Sequence, residues 1–317
     1  MSATLDEHYD SVIEAIADNR VIPFFGAGVN LCGRPKDVTW RRGSPYLPSG
    51  GELAEHLATK FNYPWSDRRD LLRVSQYAVI MVGLGPLYQE LRRLFDVDYE
   101  LTALHKLFAS LPVTLREKGY SPGHQLIVTT NYDDLMERAF KEAGEEFDLV
   151  AYVAEGTGQR GKFWHWPPDG ESQIIEIPNK YSGLSLKNRS IILKIHGAID
   201  RQNEDRDSFV ITEDNYIDYL TRTDISNLIP VEIMAKLRRS HFLFLGYSLR
   251  DWNLRAILHR IRGEQKLSWK SWAILLNPEK FEQRFWGEHD VDIYDISLEE
   301  YIATLAERVK VLPRAED

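Results

Sequence analysis

Residues Leu126–Asp133 read LIVTTNYD, an apolar run that stops abruptly in Thr129, Thr130, Asn131, Tyr132 and Asp133. Ile191–Gly197 (IILKIHG) repeats the form, ending in His196 and Gly197, and His241–Ser248 (HFLFLGYS) repeats it again. Such runs, without period-two alternation, are what strands buried on both faces of a sheet require. Each delivers polar or small residues at its carboxyl end, where ligands sit in open α/β sheets. Asn131, Asp133 and His196 are therefore expected to face one crevice although far apart in the chain.

Working outward, Val21–Phe25 (VIPFF) reads as a first strand followed at once by Gly26-Ala27-Gly28, after an amphipathic helix over Leu5–Asn19. The stretch from Leu31 to Ser49 reads as loop. Helical patterns follow over Gly51–Phe61, over Asp70–Phe95 with a break near Gly83, Gly85 and Pro86, and over Thr102–Leu111. Strand and helix then alternate. Strands are expected at Gln125–Thr130, Phe147–Val153, Ile191–Ile195, Phe209–Ile211, Phe242–Leu245, Trp272–Leu276 and Val291–Tyr294. Helices are expected at Asp134–Ala143, Asp214–Leu220, Val231–Arg239, Asp251–Ile261 and Leu298–Val309. Gly156–Pro168, containing FWHW, reads as a loop. The pattern predicts a Rossmann-like, doubly wound, mainly parallel α/β sheet. One domain over residues 1–317 is expected, with a helical insertion at about 50–120, since no repeat, low-complexity tract or Pro/Ser-rich linker divides the chain.

The 317 residues suffice for a large core. A net charge of −9 argues against a general electrostatic grip on nucleic acid. No apolar stretch reaches membrane-spanning length, and the polar, acidic start MSATLDEHYD does not read as a secretory signal, so a cytoplasmic location is expected. Cys32 is the only cysteine, which excludes an internal disulfide and a four-cysteine zinc module.

The candidate chemistry lies at the strand ends. Small residues at Gly26, Ala27 and Gly28 suit a turn whose N–H groups approach a pyrophosphate, or simply a tight turn. Asn131 offers a donor and an acceptor. Asp133 suits a sugar hydroxyl, a water or a helix cap. His196, expected to be accessible at its strand end, is suited to proton transfer near neutral pH. Gly246, Tyr247 and Ser248, with Asp251 after them, and Asn277 past AILL, form the same kind of junction on later strands. Trp164, Trp166 and Trp286, among eight tryptophans, suit either an interface or the core.

GAG, TTNYD, KIHG and GYSLRDWN, in that order, resemble the motif series of sirtuin-like NAD-binding domains, most of all a bacterial, zinc-free branch associated with anti-phage defence. The resemblance covers about residues 20–295. It implies that Asn131 and His196 are catalytic with Asp133 beside them. It implies further that Gly26, Ala27 and Gly28 take the pyrophosphate and that Gly246 and Ser248 meet the adenosine side. Tyr247 and Asp251 belong to the same motif, and Asn277 is matched to a ribose contact. NAD is then the substrate, with no metal, and the reaction is its hydrolysis to nicotinamide and ADP-ribose by the toxic effector of a defence system. Relatives are expected to work as homo-oligomers or with partner subunits such as a ring-forming ATPase. Three readings compete with this one. A deacylase or ADP-ribosyl transferase of the same fold is disfavoured by the missing cysteines. A regulatory subunit that binds NAD or ADP-ribose without turnover need not keep both Asn131 and His196. An ordinary Rossmann dehydrogenase lacks support because Leu31 stands where the third glycine belongs.

Overall fold

The structure, a computed structural model, describes residues 4–121, 123–156, 158–221, 229–247, 258 and 269–315. Among these residues nine strands form one sheet. They are β1 (Val21–Phe25), β2 (Leu126–Thr129), β3 (Phe147–Tyr152), β4 (Phe163–Trp166), β5 (Gln173–Ile175), β6 (Ser190–Lys194), β7 (His241–Leu245), β8 (Ser271–Leu275) and β9 (Val291–Asp295). The spatial order is β5-β4-β3-β6-β2-β1-β7-β8-β9. All pairings are parallel except β3 with β4 and β4 with β5.

β1, β2 and β6 are buried along their whole length, which explains their uninterrupted apolar runs. One face of the sheet packs Ile22, Phe24, Val128 and Leu193 into one core. The other face puts Phe25, Ile127 and Ile192 against α1 (Leu5–Ala17) and its neighbours. From β1 the chain goes to β2 on one side and returns later to β7 on the other. β1 is thus the topological switch point, where loops on its two sides diverge and leave a crevice.

Between β1 and β2 stand α2 (Gly50–Lys60), α3 (Leu71–Val82), α4 (Leu84–Phe95) and α5 (Ala103–Glu117). α2, α3 and α4 share a core that also takes Tyr132, Phe209 and Ile211. The expected break falls at Gly83, whose φ of +87° ends α3. α5 runs past the expected Leu111 with Pro112 inside it. Pro112 cannot donate to the Phe108 carbonyl, and the Gln125 side-chain amide donates there instead, at 3.4 Å.

Two expectations are corrected. FWHW is not loop but β4, pairing with β3 from Leu149–Trp166 to Tyr152–Phe163. Its period-two burial, with Phe163 and His165 in and Trp164 and Trp166 half-exposed, is masked because both phases are aromatic. Phe209–Ile211 is buried but is not a sheet strand. Ser208 and Val210 donate to the carbonyls of Ala198 and His196, so this segment pairs with the loop leaving β6. The helix expected at Asp251–Ile261 falls almost wholly outside the described residues. α6 (Leu135–Glu142), α7 (Glu213–Thr221), α8 (Val231–Arg238), α9 (Lys280–Gly287) and α10 (Leu298–Val311) complete the described helices. Trp286 in α9 is core, 1% exposed.

Candidate functional site

The carboxyl ends of β1, β2, β6, β7, β8 and β9 surround a cleft of about 690 Å³. Its lining includes Gly26, Ala27, Gly28, Asn131, Asp133, His196, Gly246 and Tyr247. Eight of the residues singled out from the sequence therefore meet in one place. Asn277 does not line it. It sits in a left-handed turn (φ +54°), exposed, with its N–H donated to Asp295 Oδ1 at 2.7 Å. Ser248 and Asp251 lie outside the described residues.

The glycines are demanded by packing. Gly26 N–H donates to the Leu245 carbonyl at 3.0 Å, and Gly28 N–H to the Gly246 carbonyl at 2.8 Å. A Cβ on Gly28 would lie 2.7 Å from the Gly246 oxygen, and one on Gly246 would lie 2.2 Å from Val29 N. Gly246 also has φ +66°, which an L side chain rarely adopts. The loop after β1 and the loop after β7 are thus pressed backbone to backbone. The N–H groups of Gly26 and Gly28 are both spent on β7 and its loop.

Asn131 is 8% exposed. Its N–H donates to Thr129 Oγ1 at 3.0 Å and its carboxamide donates to the Gly26 carbonyl at 3.3 Å. Asp133, 4% exposed, accepts from the Asn30 carboxamide at 2.7 Å and from Leu135 N–H at 3.1 Å. Its carboxylate thus closes a turn onto the first residue of α6, whose N-cap is Asp134, while lining the cleft. Asp134 faces away from the cleft and pairs with Arg201 at 2.9 Å, while Arg201 also reaches Asp98 beyond α4 at 2.6 Å.

His196 is not accessible as expected. It is 3% exposed, because the 208–211 segment lies along its loop and α7 covers its ring. Tyr216 and Tyr219 meet the imidazole edge-on, with centroids 5.3 and 5.9 Å away. Nδ1 is 3.3 Å from the Tyr216 hydroxyl, and Nε2 is buried without a hydrogen-bond partner among the described residues. Burial pulls the imidazole pKa down to about 3, so it is neutral at physiological pH.

Further contributors escaped the sequence reading. Asn30 and Tyr216 hold Asp133 and His196. Ser49, Gly50 and Gly51 bring the N-terminus of α2 to the cleft, and Ser297 and Leu298 bring that of α10. Ser49 followed by Glu52 is a capping box readable from sequence. Its Glu52 also binds Arg34 and the Trp40 N–H. Burial opposes ionisation of Glu52, but these partners outweigh it and hold its pKa down at about 2. Among the described residues no helix is long and apolar enough to cross a membrane.

Comparison with known proteins follows the same lines. A family model described as a SIR2-like domain matches residues 125–294. The protein named NAD(+) hydrolase ThsA from Enterococcus faecium is 28% identical over 254 residues, 78% of this chain and 41% of that protein. Defense-associated sirtuin 2 from Bacillus subtilis is 26% identical over 277 residues, 86% of this chain and 22% of that protein. The chain thus spans less than half the length of these curated relatives. A solved Sir2 homologue in complex with ADP-ribose superposes with a TM-score of 0.38 at 14% identity, covering 95% of this chain and 96% of that one.

Proposed function

The chain belongs to the SIR2-like domain family, and from that premise we propose that it binds NAD along the carboxyl edge of its sheet and hydrolyses it to nicotinamide and ADP-ribose. The observation that carries this reading is the convergence of Asn131, Asp133 and His196, from two different strands, on the one cleft framed by Gly26–Gly28 and Gly246. In the reaction the bond between nicotinamide and the ribose C1′ breaks, its electron pair leaving with nicotinamide. Water adds to C1′ and its proton is taken up by a base.

Asn131, which lines the cleft, holds the attacking water or a ribose hydroxyl. Asp133 works through the turn that carries Asn131. His196 is the base, its Nε2 without a hydrogen-bond partner among the described residues and the ring kept neutral by burial. General-base help of this kind is worth roughly 10²- to 10⁴-fold.

One relative's name, Defense-associated sirtuin 2, supports a place in defence, which we take to be anti-phage defence. Unrestrained NAD cleavage is toxic, so the active form is proposed to be a homo-oligomer or a complex with a further subunit. The chain is taken as one domain with α2–α5 as its insertion. The test is chromatography of NAD incubated with the protein and with His196→Ala and Asn131→Ala. Nicotinamide and ADP-ribose from the parent, with both variants nearly silent, is the expected result. Variants that cleave NAD like the parent sink the assignment.

A further inference from the structure

Lys194 is the last residue of β6, set between Leu193 and Ile195, and is 1% exposed. It lies on the face of β6 shared with Ile192, against α6. Its ammonium donates to Glu137 Oε1 at 2.5 Å and to the backbone carbonyl of Asp133. Glu137 is equally enclosed, and its Oε2 has no hydrogen-bond partner among the described residues.

Stability alone is a poor reason for such a pair. Replacing a buried ion pair by apolar residues of similar volume is often neutral or favourable, whereas removing one partner is not. What the ammonium does locally is specific. The Asp133 carbonyl lies just ahead of the first helical hydrogen bond of α6, which Arg138 N–H gives to Asp134. Lys194 supplies that carbonyl with a charged donor. It thereby ties the end of β6, two residues before His196, to the turn that carries Asn131. The Asn131 carboxamide is otherwise fixed to β1's loop and the Asp133 side chain to Asn30, so Lys194 adds a charged side-chain link between the two strands that deliver the candidate catalytic groups, beside the Tyr132 hydroxyl on the Val210 carbonyl.

We propose that Lys194, neutralised by Glu137, is a positioning residue that sets the placement of Asn131 relative to His196 by holding the Asp133 carbonyl. The part of this that concerns catalysis rests on the NAD-hydrolase reading. The part that concerns the turn does not.

The experiment compares the parent with Lys194→Met/Glu137→Leu, which exchanges the ion pair for an apolar pair. Three quantities are read: melting temperature, hydrogen exchange of backbone amides over residues 130–135, and kcat and KM for NAD. A melting temperature near the parent's is expected, with faster exchange confined to that turn. KM should stay within about threefold while kcat falls by about 100-fold, the scale of a 1 Å misplacement. Parental exchange at parental melting temperature overturns the proposal. So does loosened exchange with an unchanged kcat. If the parent itself cleaves no NAD, the hydrolase reading fails and the exchange measurement still decides the positioning role. Should the double variant melt far below the parent, Lys194→Arg is compared with Lys194→Met. The charged replacement is expected to keep turn protection that the apolar one loses, and equal exchange in the two overturns the proposal.

Discussion

Asn30 donates its carboxamide to Asp133 Oδ2 at 2.7 Å across 103 residues of chain, while Asp133 Oδ1 accepts the Leu135 N–H. One carboxylate therefore fastens the loop after β1, the turn after β2 and the first turn of α6. Asp133→Ala removes the acceptor of the Leu135 N–H, a hydrogen bond worth about 1 kcal/mol, and leaves the Asn30 amide unpaired in a buried place, which adds about 1–3 kcal/mol. Urea unfolding is expected to show the sum of the two. Asp133→Asn should recover part of the loss, since its carbonyl still accepts from Leu135. A destabilisation of Asp133→Ala no larger than that of an exposed Asp, such as Asp37→Ala, would contradict this arrangement.

The packed glycines make a steric prediction. Gly28→Ala and Gly246→Ala each place a Cβ against backbone atoms of the facing loop, at 2.7 and 2.2 Å, and backbone cannot rotate away as a side chain can. Overpacking of this kind costs about 1–3 kcal/mol, and Gly246→Ala carries the added penalty of its positive φ. Gly50→Ala, at the start of α2 with open space around it, serves as the control and is expected to be near neutral. Denaturation midpoints that rank Gly246→Ala below Gly28→Ala, with Gly50→Ala at the parent's value, are the expected outcome. Equal midpoints for the three would refute the close approach.

Acid stability follows from three enclosed histidines. Burial lowers the pKa of His8 and of His105 to about 4 and that of His196 to about 3, against 6.5 for the ordinary imidazole. The unfolded chain thus binds protons at pH 5 that the folded protein refuses. Stability from these groups is complete above pH 6.5 and is lost as pH falls towards 4. Each histidine contributes up to about 1.4 kcal/mol per pH unit within that window. Glu52, held at about 2, adds loss in the same direction but lower, between about 4.5 and 2. Urea titrations at pH 7, 6 and 5 are expected to give a slope approaching three protons. His105→Gln, which keeps a polar group opposite Thr102, is expected to reduce it by about one. A flat profile from pH 7 to 5 would show that these rings are not buried neutral.

The strand ends were legible because a strand covered on both faces leaves no solvent side for polar residues, so polarity appears only where the strand stops. That logic brings Asn131 and His196 to one cleft from the sequence alone. It failed for β4, where Trp164 and Trp166 carry the half-exposed phase and hide the alternation. It failed for Asn277 because a strand end facing the cleft, here through Leu276, is followed within one residue by a turn that faces solvent. Asn30, Tyr216 and Glu137 were invisible because their roles exist only through partners 103, 20 and 57 residues away. Lys194 could have been found: a charge inside a fully buried strand must have a partner, since an unpaired one is too costly to keep.

His196 offers the sharpest functional test of this geometry. The acid limb of kcat/KM reports the free enzyme's essential base. With burial holding the imidazole near 3, lowering the pH from 8 to 5.5 is expected to leave kcat/KM for NAD almost unchanged, provided the protein stays folded. Tyr216→Phe deletes the hydroxyl 3.3 Å from Nδ1 while keeping the ring that covers the imidazole. It is expected to lower kcat by about tenfold, a fraction of the roughly 10²- to 10⁴-fold that a general base supplies, with little change in KM, because the ring loses the partner that selects its tautomer and angle. A kcat/KM profile that breaks near 6.5 in the parent would mean that the working base is solvent-exposed, and would remove His196 from that role.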